Sequence, residues 1–213
     1  MEIFHYLKHP SKQKRGELTC LEILDCTLKL IEDNNFSYER VTLKELSILI
    51  GHSIGTIYRY FDNKDDLLAT LCGYFLSKIH TEAASIIDSF SNNDRFEQLS
   101  ILLIDHYLDN FKSRDIQGMI TLYRLFIRST IEPELIQTSI DILIPSFISV
   151  TQRNVSGTFP KIEEDTIRIL LRGISSMVSA PLLENISYFH SDNYRNLLIK
   201  TAKQFINENI KLY

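Results

Sequence analysis

The chain has 213 residues, of which 44% are hydrophobic and 23% charged, a globular balance that supports one or two cored domains and excludes a disordered polypeptide. Seven Gly and five Pro are too few for the tight turns of a strand-rich protein, and abundant Leu, Ile, Lys and Glu point to helices. The net charge of −4 excludes a uniformly basic nucleic-acid binder, so any phosphate contact must come from local clusters.

At the start, MEIFHYLK lacks the apolar core of a signal peptide, and no apolar run approaches the ~20 residues needed to cross a bilayer. A cytoplasmic location with no membrane partner is expected. KHPSKQKR, residues 8–15, carries four positive charges and no acid, and reads either as a phosphate-binding arm or as a solvated tail. His5 and His9 are spaced to share a helix face, but no third ligand accompanies them, so no metal is expected. Cys20, Cys26 and Cys72 are odd in number and lack C-x-x-C spacing. They read as buried, reduced thiols rather than a disulfide or zinc framework.

From about Leu18 to Asn34, Leu21, Leu24, Leu28 and Ile31 recur at helical spacing, and Asn34 and Asn35 offer a left-handed stop. In VTLKEL, Thr42 and Glu45 have the spacing of a capping box, so Ile48, Leu49 and Ile50 end a short helix. Asp62 or Asn63 caps a further helix that carries Asp65 and Asp66 in its first turn and runs to about Phe90. Signals at Asp94 with Glu97, at Pro133, Glu163 and Asp192 divide the remainder into helices, and Pro145 and Pro181 predict kinks or breaks within two of them. The pattern holds no convincing strand, repeat or low-complexity tract.

Residues 51–55, GHSIG, match the G-x-S-x-G of a hydrolase nucleophile elbow, which would make Ser53 a nucleophile. That motif needs a core strand before the serine. Here a capped helix precedes it, no HGGG-like segment exists and no strand–helix alternation follows, so no enzyme is expected and serine hydrolysis is a remote alternative. Ser53 reads instead as the N-cap of a second short helix, accepting from about Thr56. At 100° per residue, Ile57, Phe61 and part of Tyr58 share one side, and Gly55, Thr56, Arg59 and Tyr60 cover the other. A helix-turn-helix with a donor-rich outer face results, suited to a DNA groove.

The segment VTLKELSILIGHSIGTIYRYFDNKDDLL resembles the DNA-binding signature of the TetR (tetracycline-repressor-like) family of bacterial regulators, through Thr42, Leu46, Gly51, Ser53, Gly55, Thr56, the Tyr58-x-Tyr60-Phe61 run, Lys64 and Leu67. The resemblance covers about residues 15–70. It implies an all-α protein: an N-terminal three-helix DNA-binding domain with its arm over residues 1–66, and a helical ligand-binding and dimerisation domain over 67–213. It also implies that Thr42, Tyr58 and Lys64 touch phosphates, and that the helix start at Ser53, Ile54, Gly55 and Thr56, with Tyr60, approaches bases; Arg59, outward on the helix by its spacing, is expected to read a base as well. Ile50, His52 and Ile54 depart from the family's usual alanine, valine and polar residue. Ile54 could touch a thymine methyl or be buried.

In residues 67–213, Tyr74, Phe75, His106, Tyr107, Met119, Tyr123, Phe126, Phe147 and Met177 resemble the lining of an effector pocket, with core packing as the alternative. No arginine cluster marks an anionic effector. In the family the last two helices pair with those of a second subunit. Leu170, Leu171, Ile174, Met177 and Val178 form one apolar stripe and Leu197, Leu198, Thr201 and Phe205 another, with intramolecular burial as the alternative. The expected molecule is a homodimeric regulator, a repressor released from a double-stranded DNA operator by a small-molecule effector and needing no cofactor. The alternative is a helix-turn-helix protein whose body answers to a protein partner.

Overall fold

The computed structural model describes residues 13–34, 40–112, 116–129, 139–159, 163–184 and 187–210. Among these, every regular element is helical and no strand occurs. The helices are α1 (Lys14–Asp33), α2 (Leu43–Ile50), α3 (Ile54–Tyr58), α4 (Lys64–Ser89), α5 (Phe96–Lys112), α6 (Ile116–Ser129), α7 (Leu143–Arg153), α8 (Glu164–Glu184) and α9 (Asp192–Ile210), with 3-10 turns at Ser139–Ile142 and Ser187–His190. The chain forms two compact units, Met1–Leu76 with Arg114–Ile136 and Ser77–Ser113 with Gln137–Tyr213. Pro133, His5, His9 and most of the basic run 8–15 lie outside the described residues.

In the first unit α1 packs on α2 and α2 on α3. The inner face of α1 is Cys20, Ile23, Leu24, Thr27 and Ile31; Leu21 and Leu28, expected to face inward, sit half-buried at its edges. Burying Thr27 is tolerable because its hydroxyl donates to the Ile23 carbonyl at 2.6 Å. Burial pushes the Cys20 thiol up to about 12 and the Cys72 thiol still higher, which keeps both protonated. Asn34 closes α1 by giving both its backbone N–H and its side-chain amide to Leu30.

The caps of the next helices are those the spacing implies. The Glu45 N–H donates to Thr42 Oγ1 at 3.1 Å, and the threonine hydroxyl donates on to the Glu45 carboxylate at 3.0 Å. Gly51, at φ +67°, ends α2 in the left-handed conformation that glycine adopts without steric cost. Of the two candidates for the cap of α4 it is Asn63 that accepts, from the Asp66 N–H at 2.9 Å, while the Asp66 carboxylate reaches back to the Asp62 N–H.

The second unit has a core of aromatic and aliphatic side chains from α4, α5, α7 and α8, in which Phe96 meets Phe147 and Phe159 edge-on at 6.1 and 5.3 Å between centroids. The start of α5 differs from expectation. The Arg95 N–H donates to Gln98 Oε1 at 2.7 Å and the Phe96 N–H to Thr158 Oγ1 at 2.9 Å, whereas Asp94 uses its carbonyl to hold Asn154. Arg153, ending α7, donates to the Ile87, Asp88 and Phe90 carbonyls, which satisfies backbone groups left open at the end of α4.

Neither internal proline breaks its helix. Pro145 is the third residue of α7, in the first turn, where an N–H has no helical partner anyway. Pro181 lies within α8 and strips the Met177 carbonyl of its donor, and the Tyr194 hydroxyl of α9 donates to that carbonyl instead.

By length and composition Glu164–Glu184 could cross a membrane, contrary to the sequence reading that no apolar run approaches that length. Its apolar side is built into the core through Ile167, Leu170, Leu171, Val178 and Leu182. Its Arg172 forms a forked pair with Asp141 at 2.7 and 3.1 Å, and Arg168 pairs with Glu164 and Asp165. These are the features of a core helix of a globular unit.

Candidate functional site

The GHSIG segment lies between two helices, so Ser53 has no strand behind it to form a nucleophile elbow. Its hydroxyl accepts the Thr56 N–H at 3.2 Å and lies 3.0 Å from Thr56 Oγ1. With Ile57 and Phe61 fully buried, α3 is held by its inner side against α2. The outward surface carries Thr42, Ser53, Ile54, Gly55, Tyr58 and Arg59 exposed, with Thr56, Tyr60 and Lys64 half-buried beside them. The structure therefore brings all nine predicted DNA-facing residues onto or beside one helix-turn-helix.

Three details depart from the sequence reading. Tyr58, expected to be partly inside, is 51% exposed. Arg59 caps the end of a five-residue helix rather than standing midway along it, and Tyr60 follows in the turn, its ring 6.3 Å from that of Phe61. Ile54 is 42% exposed, which removes the alternative that it is buried. His52 is tied to Glu22 of α1 at 3.2 Å and so fastens the turn to the first helix. Ile48 and Leu49 are exposed on α2, which the apolar spelling of the segment hides.

Gly55 carries further information. A Cβ built there would meet only Ser53 Oγ, at 3.7 Å, so the chain's own packing does not require glycine at this position. Glycine inside a helix costs roughly 1 kcal/mol relative to alanine. Its use on the open face fits a surface that another molecule approaches closely.

The predicted pocket residues are divided between the two units. Tyr74, Met119, Tyr123 and Phe126 are buried in the first unit, where Tyr74 donates to Asp25 at 2.9 Å. In the second unit Tyr107 and Phe147 line a cavity of about 60 Å³, while His106 and Met177 are not among its walls. His106 Nε2 instead sits 3.1 Å from the Ile79 carbonyl. Apart from Ser100 and Ser175 the rest of the wall is apolar and includes Phe96, Leu103, Ile140 and Leu143, residues that periodicity cannot separate from ordinary core.

The predicted dimer stripe lies against the same cavity. Leu170, Leu171, Val178 and Leu198 are buried within the single chain, Ile174 packs half-buried on the same core, and the Phe205 side chain lies outside the described residues. This is the intramolecular alternative, because facing helices bury the stripe that the spacing marks. What α8 turns outward is Ile169, Gly173, Ser176 and Leu183, with Leu197 exposed on α9. Among the described residues no cluster of His, Cys, Asp or Glu is arranged to hold a metal ion.

An all-helical chain with a doubly capped helix-turn-helix and a donor-bearing outer face is a DNA-binding regulator by class. Residues 23–71 match the family model described as bacterial regulatory proteins, tetR family. Its fold is similar to that of a TetR-family transcriptional regulator from Mesorhizobium loti, with TM-score 0.55, 16% identity and 94% and 99% of the two chains covered. It is also similar to the fatty acid degradation regulator FadR from Bacillus halodurans, with TM-score 0.53, 15% identity and 92% and 96% covered. No curated protein matches the chain.

Proposed function

We propose that this transcriptional regulator is a homodimeric repressor that leaves its operator when a small molecule enters the cavity of the second unit. The observation that carries the reading is the coexistence of an outward α3, anchored by Ile57 and Phe61, with an apolar cavity beside Tyr107 and Phe147. In this reading residues 1–66 contact DNA and residues 67–213 bind ligand and pair subunits. That division falls in the first turn of α4, which runs on into the second compact unit. Arg59 approaches a base, while Thr42, Tyr58 and Lys64 position the head on phosphates. A dimer bound at a promoter excludes polymerase, and a ligand that favours another arrangement of the two heads relieves this. Coupling on the order of 1–3 kcal/mol suffices.

Because Leu170, Leu171 and Val178 are spent inside the protomer, the subunit seam is the outward face of α8. Ile169, Gly173, Ser176 and Leu183 recur there at spacings of four, three and seven, with Leu197 of α9 exposed as well. Small residues along the seam permit close approach. Pairing two short recognition helices supplies the affinity that a single one lacks.

Selection of bound sequences from a random duplex pool tests the reading, and a two-fold symmetric site is expected. On that site Arg59→Ala is expected to relax one position per half-site, whereas Lys64→Ala weakens all sequences alike and lowers the salt slope by about 2 for the dimer. Enrichment of no sequence would overturn it.

A further inference from the structure

Tyr107, on the wall of the second unit's cavity, and His80, behind that wall, each hold a polar atom without a partner among the described residues. Tyr107 Oη and His80 Nδ1 are buried and, among the described residues, make no hydrogen bond. Such groups are rare in folded proteins because each carries its full desolvation cost. Their rings lie 5.7 Å apart, and Tyr107 is part of the cavity wall. His80 donates to the backbone carbonyl of Ser139, and since Nδ1 is the nitrogen without a partner, the donor is Nε2–H. That tautomer makes Nδ1 an acceptor. The tyrosine hydroxyl can both donate and accept.

The remainder of the wall narrows the choice of ligand. No charged residue lines the cavity, and the buried Ser100 already spends its proton on the Phe96 carbonyl at 3.1 Å. A carboxylate or phosphate entering here would lose its hydration and meet no cation. Burial holds His80 neutral, with its pKa lowered to about 4, and pushes the Tyr107 phenol up, so neither supplies a counter-charge near neutral pH. A group that donates to Nδ1 while accepting from Oη satisfies both orphans together. A hydroxyl does this with one atom.

We infer that the ligand of this cavity is an uncharged, mainly apolar molecule bearing a hydroxyl group that bridges Tyr107 Oη and His80 Nδ1. The inference rests on the reading of this cavity as the effector site. The cavity, about 60 Å³, is well below the roughly 150 Å³ that accommodates benzene in an engineered core. A larger body must therefore part α5, α7 and α8, which links occupancy to a change of shape in this unit.

Titration calorimetry and ligand-observed NMR on the full chain, with 1-hexanol, 1-hexene and hexanoate as probes, test the assignment. Binding of hexanol without detectable binding of hexanoate is expected. Tyr107→Phe should weaken hexanol about tenfold and leave hexene unchanged, the loss of one hydrogen bond to a ligand. Ile174→Trp, which fills the cavity, should abolish both. Hexanoate binding more tightly than hexanol, equal effects of Tyr107→Phe on hexanol and hexene, binding that survives Ile174→Trp, or no binding of any probe would each overturn the ligand class. Hexanol that binds as described but leaves operator affinity unchanged would sink the effector reading alone.

Discussion

Replacing Tyr107 with phenylalanine should make the ligand-free protein more stable, although it deletes a polar group from a well-packed site. The hydroxyl is buried and without a partner among the described residues, and a buried unsatisfied hydroxyl costs about 1–3 kcal/mol by mutational measures. The ring stays, and with it the edge contact to His106 at 5.6 Å and the tilted contact to His80 at 5.7 Å. Removing the oxygen forfeits a few dispersion contacts worth tenths of a kcal/mol each, so the balance is a gain of about 1 kcal/mol. In a chain of this size that raises Tm by about 2–4 °C. Urea unfolding followed by circular dichroism, without any probe, measures it. A loss of 1 kcal/mol or more would show that the hydroxyl is already satisfied, and the argument for a hydroxylated ligand would fall with it.

Three further outcomes are expected. His80 has a folded pKa of about 4, below its unfolded value, so the unfolded chain takes the proton first as pH falls. Its contribution is intact above about pH 6.5 and lost towards pH 4, a decline of roughly 3 kcal/mol that urea midpoints across this range should show and His80→Gln should flatten. Arg153→Ala strips the end of α4 of donors to three carbonyls and should cost about 2–4 kcal/mol, while Arg153→Lys, lacking the fork, recovers only part; equal stability of the two variants would count against the clamp. Ile169→Glu should sediment as a folded monomer with weakened operator binding, whereas Leu171→Glu should unfold; a dimeric Ile169→Glu places the seam elsewhere.

The DNA-facing half was the more legible in sequence because local chemistry determines it. Thr42, Gly51, Ser53 and Asn63 each act on backbone atoms within a few residues, so spacing alone identifies them. The second unit depends on which helix covers which face. Periodicity finds the stripe of Leu170, Leu171 and Val178 but cannot say whether a neighbouring helix or a second subunit buries it. The Tyr194 hydroxyl serving the carbonyl freed by Pro181, and Thr158 capping α5 from 62 residues away, have no local signature at all. Tyr107 was legible as an aromatic on a helix; that its oxygen lacks a partner among the described residues is a property of the packed unit.

The short turn at Ser139–Ile142 bears on how this protein could change over generations. Its first residue supplies the carbonyl that sets the His80 tautomer, its second forms part of the cavity wall, and its third takes the fork of Arg172. If the cavity is the effector site proposed above, three consecutive positions serve ligand polarity, ligand shape and the anchoring of α8, and an insertion or register slip there would alter all three at once. New ligand preferences should accordingly arise through single substitutions on the faces of α5 and α7, at Leu103 or Phe147, well before the turn itself tolerates variation. A laboratory lineage selected for a new inducer would record that order in the sequence of its mutations.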